Sequence, residues 1–161
     1  RGGANGSAFP LTPPQGYEYS IGQLSDEILE HASVLYVWVT PAESRRKNYE
    51  RGLPDGQHSI LFHSVPMEVM LGEYGCDDME YLLGISDKPN TIKIQRPVIV
   101  EKNGQRVYDL RTWNLPVARF DNRADLTSFV RKPRDQWEPV EQKALHEGLK
   151  GALATLATLS K

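Results

Sequence analysis

The periodicity of apolar positions changes several times along this chain, and each change predicts an element. Val34-Leu35-Tyr36-Val37-Trp38-Val39 is an unbroken apolar run, β-branched or aromatic except at Leu35. A run without alternation predicts a strand covered on both faces, as at the centre of a parallel sheet. A helix signal comes next. Thr40 and Glu43 have capping-box spacing, and Pro41 takes the first helical position, where its missing N–H costs nothing. The helix is expected over roughly 41–51. Upstream, Ser25 as N-cap with Asp26 and Glu27 in the first turn predicts a short helix over 25–33. Ile28, Leu29 and Ala32 would share its buried side.

Downstream, Gly52 to Ser59 is a breaker cluster and is expected to be a mobile loop. Ser64 can cap a helix starting at Val65-Pro66, with Met67, Met70 and Leu71 inward. A further helix begins near Asp77-Asp78, whose acids suit a helix N-terminus and so account for themselves without a metal. Thr91–Gln95 and Pro97–Lys102 read as two strand segments. Asn103-Gly104 between Val98-Ile99-Val100 and Val107-Tyr108 predicts a type I′ hairpin, because that turn needs positive φ at both centres. Charged outer residues and Pro97 place the hairpin at an edge or outside the main sheet. Leu115-Pro116-Val117-Ala118-Arg119-Phe120 is the second expected sheet strand. After Pro139, Leu145, Leu149, Leu153 (with Ala152), Leu156 and Leu159 recur at three- and four-residue steps, which predicts a one-sided packing helix. Lys143, Glu147 and Lys150 are left for its solvent side. Residues 1–20, rich in Gly, Pro, Ser and Tyr, show no period and read as an extended surface segment.

The totals narrow the picture only modestly. With 161 residues, 39% hydrophobic and 25% charged, the chain has the size and balance of one globular domain. A net charge of −2 argues against a general binder of nucleic acid or anionic membrane. One cysteine, Cys76, excludes an intramolecular disulfide and suits a reducing, cytoplasmic setting. No apolar run approaches the ~18 residues of a membrane span. The chain begins at Arg1, on a loop-like Arg-Gly-Gly-Ala-Asn-Gly. Processing or an upstream remainder would account for this, and the second is expected because the parallel sheet looks short of strands.

Two clusters are candidates for chemistry. Arg45, Arg46, Lys47 and Arg51 come after the first strand, and in an open α/β sheet ligands gather beyond the carboxyl ends of strands. Arginine forks match phosphate oxygens bidentately and stay charged. Neighbouring helical positions point about 100° apart, so only some of the four can face one ligand. A solvated helix face, with Glu50 four residues from Arg46, accounts for the same residues. Asp121, Asn122, Arg123 and Asp125 come after the second strand. They can position a ligand hydroxyl or hydrated metal, or form an Asx-turn that caps the next helix. His58 and His63 lack the spacing and the partners of a zinc pair. Cys76 lies among acids, which disfavour a thiolate. There is no Gly-x-Ser-x-Gly, no dinucleotide fingerprint and no Walker A sequence.

Tyr36 to Asn48 resembles the strand and arginine-bearing lid helix of P-loop nucleotide kinases. Leu115 to Asn122 resembles their late sheet strand, and Arg1-Gly2-Gly3 resembles the segment just after their acidic, Walker-B-like strand. The likeness covers roughly residues 1–50 and 115–159, and leaves the hairpin at 97–110 as an insertion. It implies a three-layer α/β domain, or the C-terminal portion of one, with parallel core strands and helices on both faces. It implies a nucleoside phosphate or other phosphorylated small molecule as ligand, with ATP and Mg²⁺ as cofactors. Arg45, Arg46 and Arg51 would stabilise charge on a transferring phosphoryl group, while Thr40, Lys47, Asp121, Asn122 and Arg123 would contact the ligand. No metal ligand is assigned. The phosphate loop and its Lys are missing, so these residues alone would not be a phosphotransferase. The rival is a non-catalytic α+β binding or assembly module, whose sheet another segment or chain completes.

Overall fold

The computed structural model describes residues 2–53 and 63–159. Most of the loop expected at Gly52–Ser59, with His58, therefore lies outside the described residues. The described elements are α1 (Tyr17–Gly22), α2 (Asp26–His31), β1 (Val34–Trp38), α3 (Pro41–Arg51), α4 (Met67–Glu73), α5 (Met79–Ile85), β2 (Thr91–Lys102), β3 (Gln105–Asp121) and α6 (Pro139–Leu159). Two 3₁₀ turns, Ser128–Arg131 and Arg134–Gln136, precede α6. The chain is mixed α/β, with three strands in the order β1-β3-β2. No described helix is long and apolar enough to cross a membrane.

Two compact units divide the chain: Arg1–Val34 with Glu68–Val117, and Leu35–Met67 with Ala118–Lys161. Strand β3 contributes to both. In the first unit it pairs antiparallel with β2, in register from Thr91↔Pro116 to Lys102↔Gln105. Asn103 at φ 55° and Gly104 at φ 74° close this hairpin as a two-residue I′ turn. The two strand segments expected at 91–95 and 97–102 are thus one strand. The hairpin is no insertion, because its return arm continues into the strand at 115–120. Pro97 is tolerated since β2 is an edge strand, and Pro116 stands where the ladder begins. Gly104→Ala should cost about 1 kcal/mol in urea unfolding, the penalty of a Cβ in the left-handed region.

The core of the first unit is Ile92, Ile94, Trp113 and Leu115 on one face of the hairpin, with Leu11, Leu29, Met79 and Leu82 also buried. Burying Leu29 explains α2, which Ser25 caps by accepting from the Ile28 N–H. Ile28, expected inside, is exposed. Residues 1–20 are not simply extended. Gly3 and Cys76 exchange backbone hydrogen bonds of 2.9 and 3.1 Å, Leu11 is buried, and Tyr17 starts α1. A Cβ on Gly2 would fall 2.5 Å from the Cys76 carbonyl oxygen, so only glycine permits that approach. Asp77 accepts from the Met79 N–H at 3.1 Å, as a helix start requires. Asp78 does not cap its own helix. It is buried and accepts from the Tyr17 N–H at 2.9 Å, capping α1 instead.

In the second unit β1 departs from expectation. Its burial alternates, with Leu35 and Val37 exposed, so one face is uncovered. The strand lies at the sheet edge, and a continuous apolar run does not reveal how many layers cover it. Helix α6 packs through Leu145, Leu149, Ala152 and Leu156 on Ala118, Phe120 and Leu126. Leu153, placed on that stripe by spacing alone, is exposed. Helix α4, which from Glu68 on belongs to the first unit, begins at Met67 rather than Val65, because the Asn48 side chain takes both the Val65 N–H and its carbonyl, at 2.8 Å each. Met67 is exposed.

Candidate functional site

The candidate site lies in the second unit, where α3 meets the segment after β3. Thr40 Oγ1 accepts from the Glu43 N–H at 3.1 Å, and Pro41 opens the helix, so the cap signal builds the expected element. Asn122, buried after β3, donates its backbone N–H to the Trp38 carbonyl at 2.9 Å. Its side chain accepts from the Leu126 N–H at 2.7 Å and donates to Thr127 Oγ1 at 2.9 Å. Asn122 is therefore the Asx-type organiser of this loop, with both ends of its amide used.

The loop so formed carries Asp125 at φ 52°, where aspartate is among the tolerated residues. Asp125 Oδ1 accepts from the Ser128 N–H and hydroxyl, at 3.1 and 2.8 Å. Lys47 Nζ lies 2.9 Å from the same oxygen, 3.1 Å from Thr127 Oγ1 and 3.6 Å from Glu43. Arg46 meets Asp125 Oδ2 and Glu43, and also pairs with Glu50. Three carboxylates thus surround two of the four candidate cations. Burial opposes ionisation of Asp125, but hydrogen bonds from Lys47 and Ser128, with the lysine charge, hold its carboxyl far below the usual range. Glu43 is lowered chiefly by its hydrogen bond from Arg46, which is raised in turn mainly by that bond. A carboxylate so stabilised is a poor proton acceptor. The group locks the helix to the loop.

Arg45 and Arg51 are placed differently. Neither takes a side-chain hydrogen bond or ion pair among the described residues, so their charge is available. Asp121 and Arg123 form a two-bond pair at 2.9 and 2.7 Å, and this lowers Asp121 to about 2. The Arg123 guanidinium lies 3.9 Å from the Trp38 ring centre, and that of Arg119 lies 4.6 Å away. Trp38 is therefore a cation–π platform. Sequence reading missed Arg119 here, though the alternation Arg119, Asp121, Arg123 was its available signal.

No family model, curated protein or solved structure matches the chain.

Charge decides which ligands the arrangement can bind. The network of Arg46, Lys47, Glu43, Glu50 and Asp125 carries no surplus positive charge. A cavity of about 310 Å³ beside Asp125 is lined by Leu126, Phe129, Val140, Ala144 and Glu141. With two acids and no cation in its lining, it would repel a phosphate. Nor do His, Cys, Asp and Glu gather in threes to hold a metal ion among the described residues. The acids near α3 are committed to cations, so this donor set does not fit Mg²⁺. Cys76 donates to the Ala4 carbonyl at 3.0 Å.

Proposed function

We propose that this chain binds a phosphorylated small molecule, a nucleoside phosphate by the resemblance of its strand and arginine helix, at the α3 edge. Arg45 and Arg51 are the cations that meet the phosphates. The observation that carries this reading is the junction of Trp38 with Asn122 and of Lys47 with Asp125. It brings together the residues just past β1 and β3, as a parallel pair with a common ligand edge requires. On that reading β1 and the end of β3 are the parallel core of a layered α/β domain.

Arg46 and Lys47 anchor the helix, and Arg46 joins the ligand only when phosphate displaces a carboxylate. Arg45 and Arg51 are six positions apart, about 9 Å along the helix and about 120° around it. They can therefore grip successive groups of a polyphosphate, but not one phosphate from the same side. Transfer would also need a phosphate loop and Mg²⁺, which these residues do not supply. Binding, not turnover, is the activity proposed.

Calorimetry with ATP, ADP and adenosine tests it. The nucleotides should bind more tightly than adenosine. Arg45→Ala and Arg51→Ala should each remove about 1.5–3 kcal/mol of that difference, the value of a hydrogen bond to a charged group. Glu50→Gln frees one hand of Arg46 and should tighten nucleotide binding. Equal affinities for nucleoside and nucleotide, unmoved by these substitutions, would return the arginines to a solvated helix face.

A further inference from the structure

The hairpin of the first unit carries a face that the phosphate reading does not use. Residues directly opposite in an antiparallel ladder share a face. Pro97↔Leu110 and Ile99↔Tyr108 are therefore one apolar patch, bounded by Gln95↔Thr112 towards the base and Glu101↔Arg106 towards the turn. Gln95 and Thr112 confirm the assignment by their 3.0 Å side-chain bond. Ile99 is 61% exposed, Leu110 62% and Tyr108 81%. The opposite face is differently occupied: Trp113 lies under the Arg96 and Arg111 guanidiniums, and Lys102 pairs with Asp109. Glu101 and Arg106, by contrast, have no side-chain partner among the described residues.

A hydrophobic centre with a polar rim is the anatomy of an interface core. Here the pattern also specifies the occupant. Consider a second copy related by a two-fold axis parallel to the strands, lying between two stacked hairpins. Its β2 then covers β3 of the first copy, and the reverse. Ile99 meets Tyr108 of the second copy, Pro97 meets Leu110, and Glu101 meets Arg106, each contact twice. Such a face complements itself in polarity and charge, as an isologous contact requires. The ~30° crossing of stacked twisted sheets leaves the long Glu101 and Arg106 side chains within reach.

We propose that this face is a self-association surface, through which two copies of the chain pair hairpin to hairpin. The surface belongs to the first unit alone and does not rest on the phosphate reading. It is small. From Gln95 to Glu101 the patch runs about 20 Å and is about 10 Å wide, less than the ~800 Å² per partner of a standard interface. The dimer is correspondingly weak, with a dissociation constant of roughly 10 μM to 1 mM.

Sedimentation of the chain from about 5 μM to 1 mM tests this, across the range such a constant requires. A concentration-dependent monomer–dimer equilibrium is expected, and Tyr108→Ser should weaken it at least about tenfold, as loss of a central aromatic does. Tyr108 is so exposed that circular dichroism should not change. Glu101→Arg and Arg106→Glu should each weaken self-association, since each sets like charges opposite. Mixed together, these two variants should form a heterodimer tighter than either homodimer. A chain monomeric throughout, a dimer indifferent to Tyr108→Ser, or a mixture no tighter than its components would overturn the proposal. The first outcome would leave the face to a different protein.

Discussion

Phe120→Ala should cost the second unit about 3–5 kcal/mol, the largest effect expected of any single substitution here. Phe120 is 2% exposed and packs with Ala118 and Ala152, under Leu145, Leu149 and Leu156 of α6. The seat is set by Gly148. A Cβ there would stand 2.7 Å from Phe120 Cε2 and 3.2 Å from Cδ2. Gly148→Ala consequently sets two effects against each other. Alanine favours an exposed helix interior by about 1 kcal/mol, whereas overpacking a full core costs about 1–3 kcal/mol. The ring is enclosed and cannot swing clear, so the loss should win. Phe120→Leu combined with Gly148→Ala should be more stable than the sum of the two changes predicts. Urea unfolding of wild type, both single variants and the double variant measures the coupling. A stabilising Gly148→Ala would show that α6 does not sit on Phe120 this way.

Asp125→Ala should be the next most damaging change, at about 1.5–3 kcal/mol for lost charge-assisted hydrogen bonds. It would remove the nearest partner of Lys47 and one partner of Arg46, release the Ser128 N–H, and set alanine at positive φ. Asp125→Asn separates the backbone contribution from the rest, since asparagine tolerates the same backbone conformation but lacks the charge and the second acceptor oxygen that Arg46 meets. It should lose less than alanine. Acid gives an independent reading. A carboxyl lowered on folding stabilises fully above its unfolded value near 4, and that stability is lost as pH falls through the folded value. The lowered Asp125, Glu43 and Asp121 therefore make the wild type weaken on acidification below about pH 4. The Asp125→Asn profile should be flatter there. Identical slopes would mean that Asp125 does not hold α3 to its loop.

Legibility in the sequence tracked the range of the signal. Thr40-Pro41 and Asn103-Gly104 act within a few residues, and both built the expected cap and turn. The α6 stripe was right for Leu145, Leu149 and Ala152. It failed at Leu153, where a three- or four-residue step left the helix face undecided. The strands were harder. Nothing local states that β3 runs through Pro116 from the hairpin into the second unit, because register is settled by the partner strand. The charged residues were the least legible. Arg45 and Arg46 are neighbours of one type, yet three carboxylates surround one and none the other. Glu43 and Glu50 lie three and four residues from Arg46 on its own helix, so spacing reveals them, but the third, Asp125, is 79 residues away along the chain.

That separation also bears on how the protein is made. Each unit is assembled from two pieces of chain that interleave, and α3 is translated long before Asp125. At the ~5–20 residues per second of synthesis, Arg46 and Lys47 would wait about 4–16 s for that carboxylate. The second unit waits longer still, for α6. The first unit has all its residues once Val117 has emerged, while the Leu35–Met67 piece of the other remains without its complement. A ribosome paused after β3 would thus carry one unit with all its residues, while Ala118 and Phe120 still lack the α6 side chains that cover them and stay open to the nearest chaperone.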